Sequence, residues 1–267
     1  MRRRVCATRQ ERRSEMPDSV YDKPPDLFRF VTMEYEQFLI SISTTQDSLA
    51  TINHIQGLYG AALSGVKIKN NGDLIVYRLL TFVHYHFLFS TACLLRCHLS
   101  EAFSSLRSAL DGALVAAYII HDRSAQTAYF NRSKPFDKLI RHYRNFLGRP
   151  EKLPHPHVPT LVSLHDACSR FASHADIDAF AHRRREFRDK KGTAWATTEY
   201  FQFSRDAREQ RYYFSTLMHG FLIMLDVFSA FLVDEQKKVP DEWRSELHGA
   251  IADIEKVRDS TGPAESS

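Results

Sequence analysis

From Asp26 to Val66 the apolar side chains Phe28, Val31, Tyr35, Phe38, Leu39, Ile42, Leu49, Ile52, Ile55, Tyr59, Ala62 and Val66 recur mostly at three- to four-residue intervals. That spacing is the pitch of an α-helix, and it returns, with interruptions, along most of the chain. A chain so patterned must bury long apolar stripes against one another, which predicts a mainly all-α fold. The expected architecture is a multi-helix bundle with long antiparallel helices. With only ten Gly and ten Pro against 19 Phe and 11 Tyr, the composition favours long helices over a turn-rich β fold.

Breaks in the periodicity divide the chain. The polar patch Ser43 to Asp47 bends or breaks the first helical stretch. Asn70-Asn71-Gly72 is a turn, and Asp73 is read as the cap of a second helix running to about Cys97. Ser100 is read as the cap of a third, reaching Ile120, and Ser124 as the cap of a fourth, interrupted near Ser133 to Pro135 and ending at Gly148. Four prolines, Pro150, Pro154, Pro156 and Pro159, make 149–159 a loop before a fifth helix over Thr160–Ser173. Helical period is lost over 176–203, and a small β-hairpin or irregular excursion is expected near 183–203. Ser204 then opens a long helix to about Glu235, and Pro240 starts the last one. The whole reads as one helical domain over 21–258, between a disordered basic arm or upstream extension (1–20) and a disordered tail (259–267).

The formal charge of +4 is a local property. In residues 1–15 the six arginines Arg2, Arg3, Arg4, Arg9, Arg12 and Arg13 face only Glu11 and Glu15, which alone leaves +4. A second basic cluster, Arg183 to Lys191, offsets the acids elsewhere. The folded body is therefore not a broadly basic nucleic-acid binder. The first arm has no apolar core of a secretory signal. It reads either as a phosphate-binding arm or as an upstream extension with Met16 as the start. The apolar run Phe214–Val233 has the length of a bilayer span, but His219 and Asp226 lie within it, so a buried bundle helix is expected and no membrane partner. Cys6, Cys93, Cys97 and Cys168 form neither a disulfide framework nor a zinc set and read as reduced thiols, which fits a cytoplasmic protein.

Ser100, Ser104, Ser108, Gly112 and Ala116 recur every four residues, which on a helix makes one ridge of small side chains and invites close packing. Beside it Arg107 and Asp111, four apart, are placed to form an ion pair. His219 and Asp226 share a face of the apolar helix after Ser204, and buried polar groups need partners, so all four residues are expected to form one buried polar network. Two His-Asp pairs, His121-Asp122 and His165-Asp166, are close to what composition alone supplies. His155-Pro156-His157 has no acidic ligand near it in sequence, so no metal is assigned and no cofactor is implied.

The small-residue helix with its Arg-x3-acid pair (Ser100–Asp122, with Arg107 and Asp111) and a later helix ending in Ser-x3-Ser-His (Leu161–Asp176, with Arg170 and His174) together resemble uncharacterised bacterial helical proteins with a HEPN-like bundle. The two pieces cover roughly 40 of the 267 residues. The resemblance implies an RNA- or nucleotide-binding bundle, with a metal-independent ribonuclease as its catalytic form. Arg170 or Arg107 would hold phosphate and His174 would serve as the acid–base group in the cleft of a homodimer. Arg170-x3-His174 is one residue shorter than the Arg-x4–6-His pattern of that group, and Arg78-x5-His84 meets the spacing. The competing expectation is a non-enzymatic helical module that binds a protein partner in a bacterial defence or regulatory system.

Overall fold

The structure is a computed structural model and describes residues 26–44, 46–64, 66–133, 136–172, 184–188, 194–198, 201, 207–236 and 239–261. Among these the elements are α1 (Leu27–Thr44), α2 (Gln46–Leu63), α3 (Asn71–Leu95), α4 (Leu99–His121), α5 (Ala125–Phe130), α6 (Leu139–Arg144), α7 (Val158–Ala172), β1 (Arg184–Arg188), β2 (Ala194–Thr198), α8 (Ala207–Val227) and α9 (Asp241–Thr261). The fold is the expected all-α multi-helix bundle. The hairpin is a two-stranded antiparallel pair, in register from Arg184 opposite Thr198 to Arg188 opposite Ala194.

Local chemistry sets the ends. The Asp26 carboxylate accepts from the Arg29 amide at 2.9 Å and caps α1. The cap of α3 is Asn70, not Asp73. Asn70 accepts from the Asp73 amide at 2.9 Å, and the Asp73 carboxylate reaches back to the Lys69 amide at 3.1 Å. This reciprocal arrangement satisfies donors that a helix start leaves open. Likewise α4 begins at Leu99, one residue before Ser100, and α9 continues to Thr261, so residues 259–261 are helical and do not belong to a tail.

Between α3 and α4 the chain reverses in three residues. The His98 amide donates to the Cys93 carbonyl at 2.9 Å and the Cys97 amide to the Leu94 carbonyl at 3.0 Å, with Cys97 in the left-handed region (φ 64°). The same turn closes α5, where Ser133 donates to Ala128, Arg132 donates to Tyr129, and Arg132 is left-handed (φ 53°). Glycine normally occupies this position, and a side chain there costs about 1 kcal/mol.

The centre is α4, packed against α3, α7 and α8. Its small-residue ridge has two uses. At Gly112 the ring of Phe82 on α3 comes so close that a Cβ would sit 2.9 Å from Cδ1, whereas Ser104 is exposed. Within α8, Leu217, Met218, Phe221, Leu222, Ile223, Met224 and Leu225 are wholly buried, as that run predicted. Buried polar tips tie the helices together: Tyr59 Oη donates to the Phe221 carbonyl (2.8 Å), Tyr143 Oη to Leu114 (3.0 Å) and Trp243 Nε1 to Leu58 (3.2 Å). Two helical stretches, Leu99–His121 and Arg208–Glu235, are long and apolar enough to cross a membrane, and the apolar window of the second is 89% buried inside the bundle. Cys93, Cys97 and Cys168 are free and buried.

Candidate functional site

Arg107 and Asp111 stand one turn apart on α4, and His165 and Ser169 one turn apart on α7. The two pairs face each other as two rungs. Arg107 Nε donates to Ser169 Oγ at 2.9 Å, and Asp111 Oδ1 lies 3.3 Å from His165 Nε2. The expected Arg107–Asp111 ion pair is therefore replaced by cross-helix partners, because equal four-residue spacings on the two helices bring the rungs into register. Ser169 Oγ itself donates to the His165 carbonyl at 2.8 Å, which fixes its hydroxyl for Arg107.

From the other side α6 presents Arg141 and Arg144. Arg144 pairs with Asp166, and that carboxyl, which partial burial would raise, is held below its ordinary value by the guanidinium and by His165. The three arginines, Asp111 and His165 line a cavity of about 520 Å³ closed behind by Leu114, Val115 and Phe136. The His165 ring is only 7% exposed and lies between two carboxylates, with Asp111 Oδ1 3.3 Å from Nε2 and Asp166 Oδ1 3.6 Å from Nδ1. Buried polar groups are normally paired, and these two acids hold the ring at the cavity wall. Arg141 makes no ion pair or side-chain hydrogen bond among the described residues. Beneath the cleft Cys168 is buried, which pushes its thiol up to about 12 despite nearby Arg107, so it is an inert packing residue.

His219 and Asp226 do not join this group, contrary to the expected single network. Asp226 is 7% exposed on α8 and faces three imidazoles: His155 Nε2 at 3.6 Å, His157 Nε2 at 3.4 Å and, from α9, His248 Nε2 at 3.0 Å. Burial alone would raise this carboxyl, but the three rings hold it down to about 2. Burial lowers His155 to about 4. One to two turns away His219 bridges Glu255 (2.9 Å) and Arg258 (2.9 Å) of α9 and is lowered by burial and by that guanidinium. The network thus splits in two: Asp226 takes its partners from the connection before α7 and from α9, and none from Arg107 or Asp111. Among the described residues no three His, Cys, Asp or Glu are disposed to hold a metal ion.

Arg170 is exposed on α7 and does not line the arginine cleft, and His174 lies outside the described residues. Arg78 lines a different cavity, and His84 bonds Gln56 at 2.9 Å, so that spaced pair is not one site. Sequence reasoning passed over His165 and Asp166 as a chance dipeptide. The available signal was their register: His165 and Ser169 repeat the four-residue step of Arg107 and Asp111.

Fold and site together define an all-α bundle protein with an arginine-lined cleft over a buried histidine. No protein-family model, curated protein or solved structure matches the chain.

Proposed function

We propose that the cleft between α4, α6 and α7 binds the phosphate of RNA or of a nucleotide, in keeping with the partial resemblance of the sequence to HEPN-like bundles. One observation carries the reading: Arg107, Arg141 and Arg144 line one cavity whose wall also carries the buried imidazole of His165. Guanidinium forks match phosphate oxygens, and an imidazole adds a donor when protonated and a proton acceptor when neutral. Arg141→Ala and Arg144→Ala are each expected to weaken binding of a labelled RNA oligomer about tenfold and to lower the slope of log affinity against log salt by about one. Unchanged affinity and slope in both variants reject the cleft. Cleavage is the further activity of this reading: RNA degraded in the presence of a chelator, and abolished by His174→Ala, supports it, whereas undiminished cleavage by the variant removes His174 from any catalytic role.

A second reading, a helical protein-interaction module, is favoured by a separate observation. Leu27, Phe28, Val31, Tyr35 and Leu39 on α1 and Tyr85, Leu88 and Phe89 on α3 are exposed. Apolar side chains gathered in this way mark association surfaces. Sedimentation of the full chain over a range of concentrations, with Phe28→Ser and Tyr35→Ser as controls, tests it. A monomer at every concentration counts against self-association.

A further inference from the structure

Helix α1 shows its apolar face to the outside. At roughly 100° per residue, Leu27, Phe28, Val31, Tyr35 and Leu39 fall within one arc about a third of the way round the helix. Phe38 and Ile42 lie between them, and no polar side chain interrupts the arc. The bundle covers a different arc. The first five are exposed, Leu27 by 72% and Phe28 by 85%. Towards the turn after α3 the helix instead presents polar groups, with Phe30 stacked on His98 beside them. Glu34 pairs with His98 at 3.2 Å and with Arg96 at 3.5 Å, and Ser41 and Gln37 each lie 3.8 Å from the Cys97 thiol. An apolar arc turned away from the core that could bury it marks a contact surface.

Charge in the sequence ahead of α1 indicates what covers it. Arg2, Arg3, Arg4, Arg9, Arg12 and Arg13 fall in the first 13 residues against a single acid, Glu11. Between these arginines and α1 stand Glu15, Asp18, Asp22 and Asp26 with only Lys23. Positive charge is thus kept at one end and the apolar face at the other. Thirteen residues separate Arg13 from Leu27. Such a stretch spans at most about 45 Å, beyond the roughly 27 Å length of α1, so both ends can touch one flat surface. An anionic bilayer is a surface of that chemistry. Apolar and aromatic side chains of a surface helix enter the boundary between headgroups and acyl chains, acidic headgroups hold clustered arginines, and two such attachments together bind where one is marginal. A protein interface carries a polar rim around fixed shapes, whereas an arc unbroken by any polar side chain asks only for apolar contact.

We infer that α1 is a peripheral membrane anchor: its face of Leu27, Phe28, Val31, Tyr35 and Leu39 lies in the surface of an anionic bilayer, and the arginines of residues 2–13 hold the acidic headgroups. This anchor is independent of the phosphate cleft. It gives the exposed face of α1, on which the interaction-module reading also draws, a lipid in place of a protein partner. Nothing spans the bilayer: the expectation of no membrane partner rests on the apolar run of α8, which stays inside the bundle.

The test sediments the full chain with vesicles of phosphatidylcholine alone and of phosphatidylcholine with phosphatidylserine. Binding to the second is expected to be at least about tenfold stronger. Arg2→Gln, Arg3→Gln, Arg4→Gln, Arg9→Gln, Arg12→Gln and Arg13→Gln, made together, are expected to lower it by more than about a hundredfold. Phe28→Ser with Leu39→Ser is expected to lower it by about tenfold or more. Both side chains are exposed, so the fold is kept, which circular dichroism verifies. In a Phe28→Trp variant, the added fluorescence shifts to the blue and is quenched by brominated acyl chains when phosphatidylserine vesicles are present. Arg141→Ala and Arg144→Ala leave vesicle binding unchanged; if they abolish it, the headgroup sits in the cleft and the inference falls. Absence of binding, equal binding to both vesicles, or undiminished binding by the serine variant also overturns it. A chain that ignores vesicles but self-associates through Phe28 returns the face to a protein partner.

Discussion

Asp226 is one carboxylate on a buried helix, and its three imidazole neighbours come from two other parts of the chain. Its acid response has a definite sign. Asp226 is held down to about 2, so its stabilisation is complete above the ordinary carboxylate range and is lost as pH falls toward 2. His155 is held down to about 4, so the unfolded chain takes up a proton near pH 6.5 that the folded chain refuses until about 4. Folding is therefore expected to weaken by on the order of 2 kcal/mol between pH 6.5 and 4, and further toward pH 2. Urea unfolding at a series of pH values measures this, and a His155→Asn variant should flatten the upper part of the curve. A wild-type curve that is level between 6.5 and 4 contradicts it.

His165 stands between the carboxylates of Asp111 and Asp166, so His165→Leu is expected to lower stability by about 1–3 kcal/mol and to weaken the proposed phosphate binding. Undiminished stability in urea unfolding would mean that the imidazole contributes nothing to the fold. The need for partners was legible at Asp226, because an acid within an apolar run cannot stand alone. Their identity was not: His155 and His157 lie far away in sequence, where no carboxylate is near. Arg107 and Asp111 were legible as a polar pair, but the rungs to Ser169 and His165 depend on how α7 crosses α4, which a single helix's periodicity does not contain.

Among elements, α4, α7 and α8 cross closely. A Cβ at Gly220 would lie 2.9 Å from Leu164 Cδ2 and 3.1 Å from Leu106 Cδ1. Gly220→Val is expected to cost on the order of 1–3 kcal/mol through overpacking, read as a lower urea midpoint with an unchanged slope. An undiminished midpoint would show that the three helices can part without penalty. Element types and order could be read from spacing, and so could the break between α1 and α2 at the polar patch. Caps were read less well. Asp73 carried the right signal in the wrong position, because a capping box contains two acceptor residues and only geometry tells which one opens the helix. The small-residue ridge was legible as a packing device, and at Gly112 it is one. Its Ser104 end is exposed even though α3 runs alongside and bonds the neighbouring Ala102 and Ser105, which the ridge itself does not record.

At the scale of the whole molecule, the hairpin Arg184–Arg188 with Ala194–Thr198 pairs chiefly with itself, while α3, α4, α8 and α9 carry the main contacts. Replacing residues 184–198 by a short Gly-Ser linker is therefore expected to leave one cooperative thermal transition, within roughly 3 °C of the parent. Loss of that transition would make the excursion part of the core.

The connection from α6 to α7 carries His155 and His157, and these meet Asp226 together with His248 of the final helix. A chain emerging from the ribosome therefore exposes α4, α6 and α7 well before His248 can reach Asp226. The arginine-lined cleft is then expected to be among the last parts of the molecule to become rigid, and a chain that stops short of α9 to carry the cleft's side chains on an unfastened hinge.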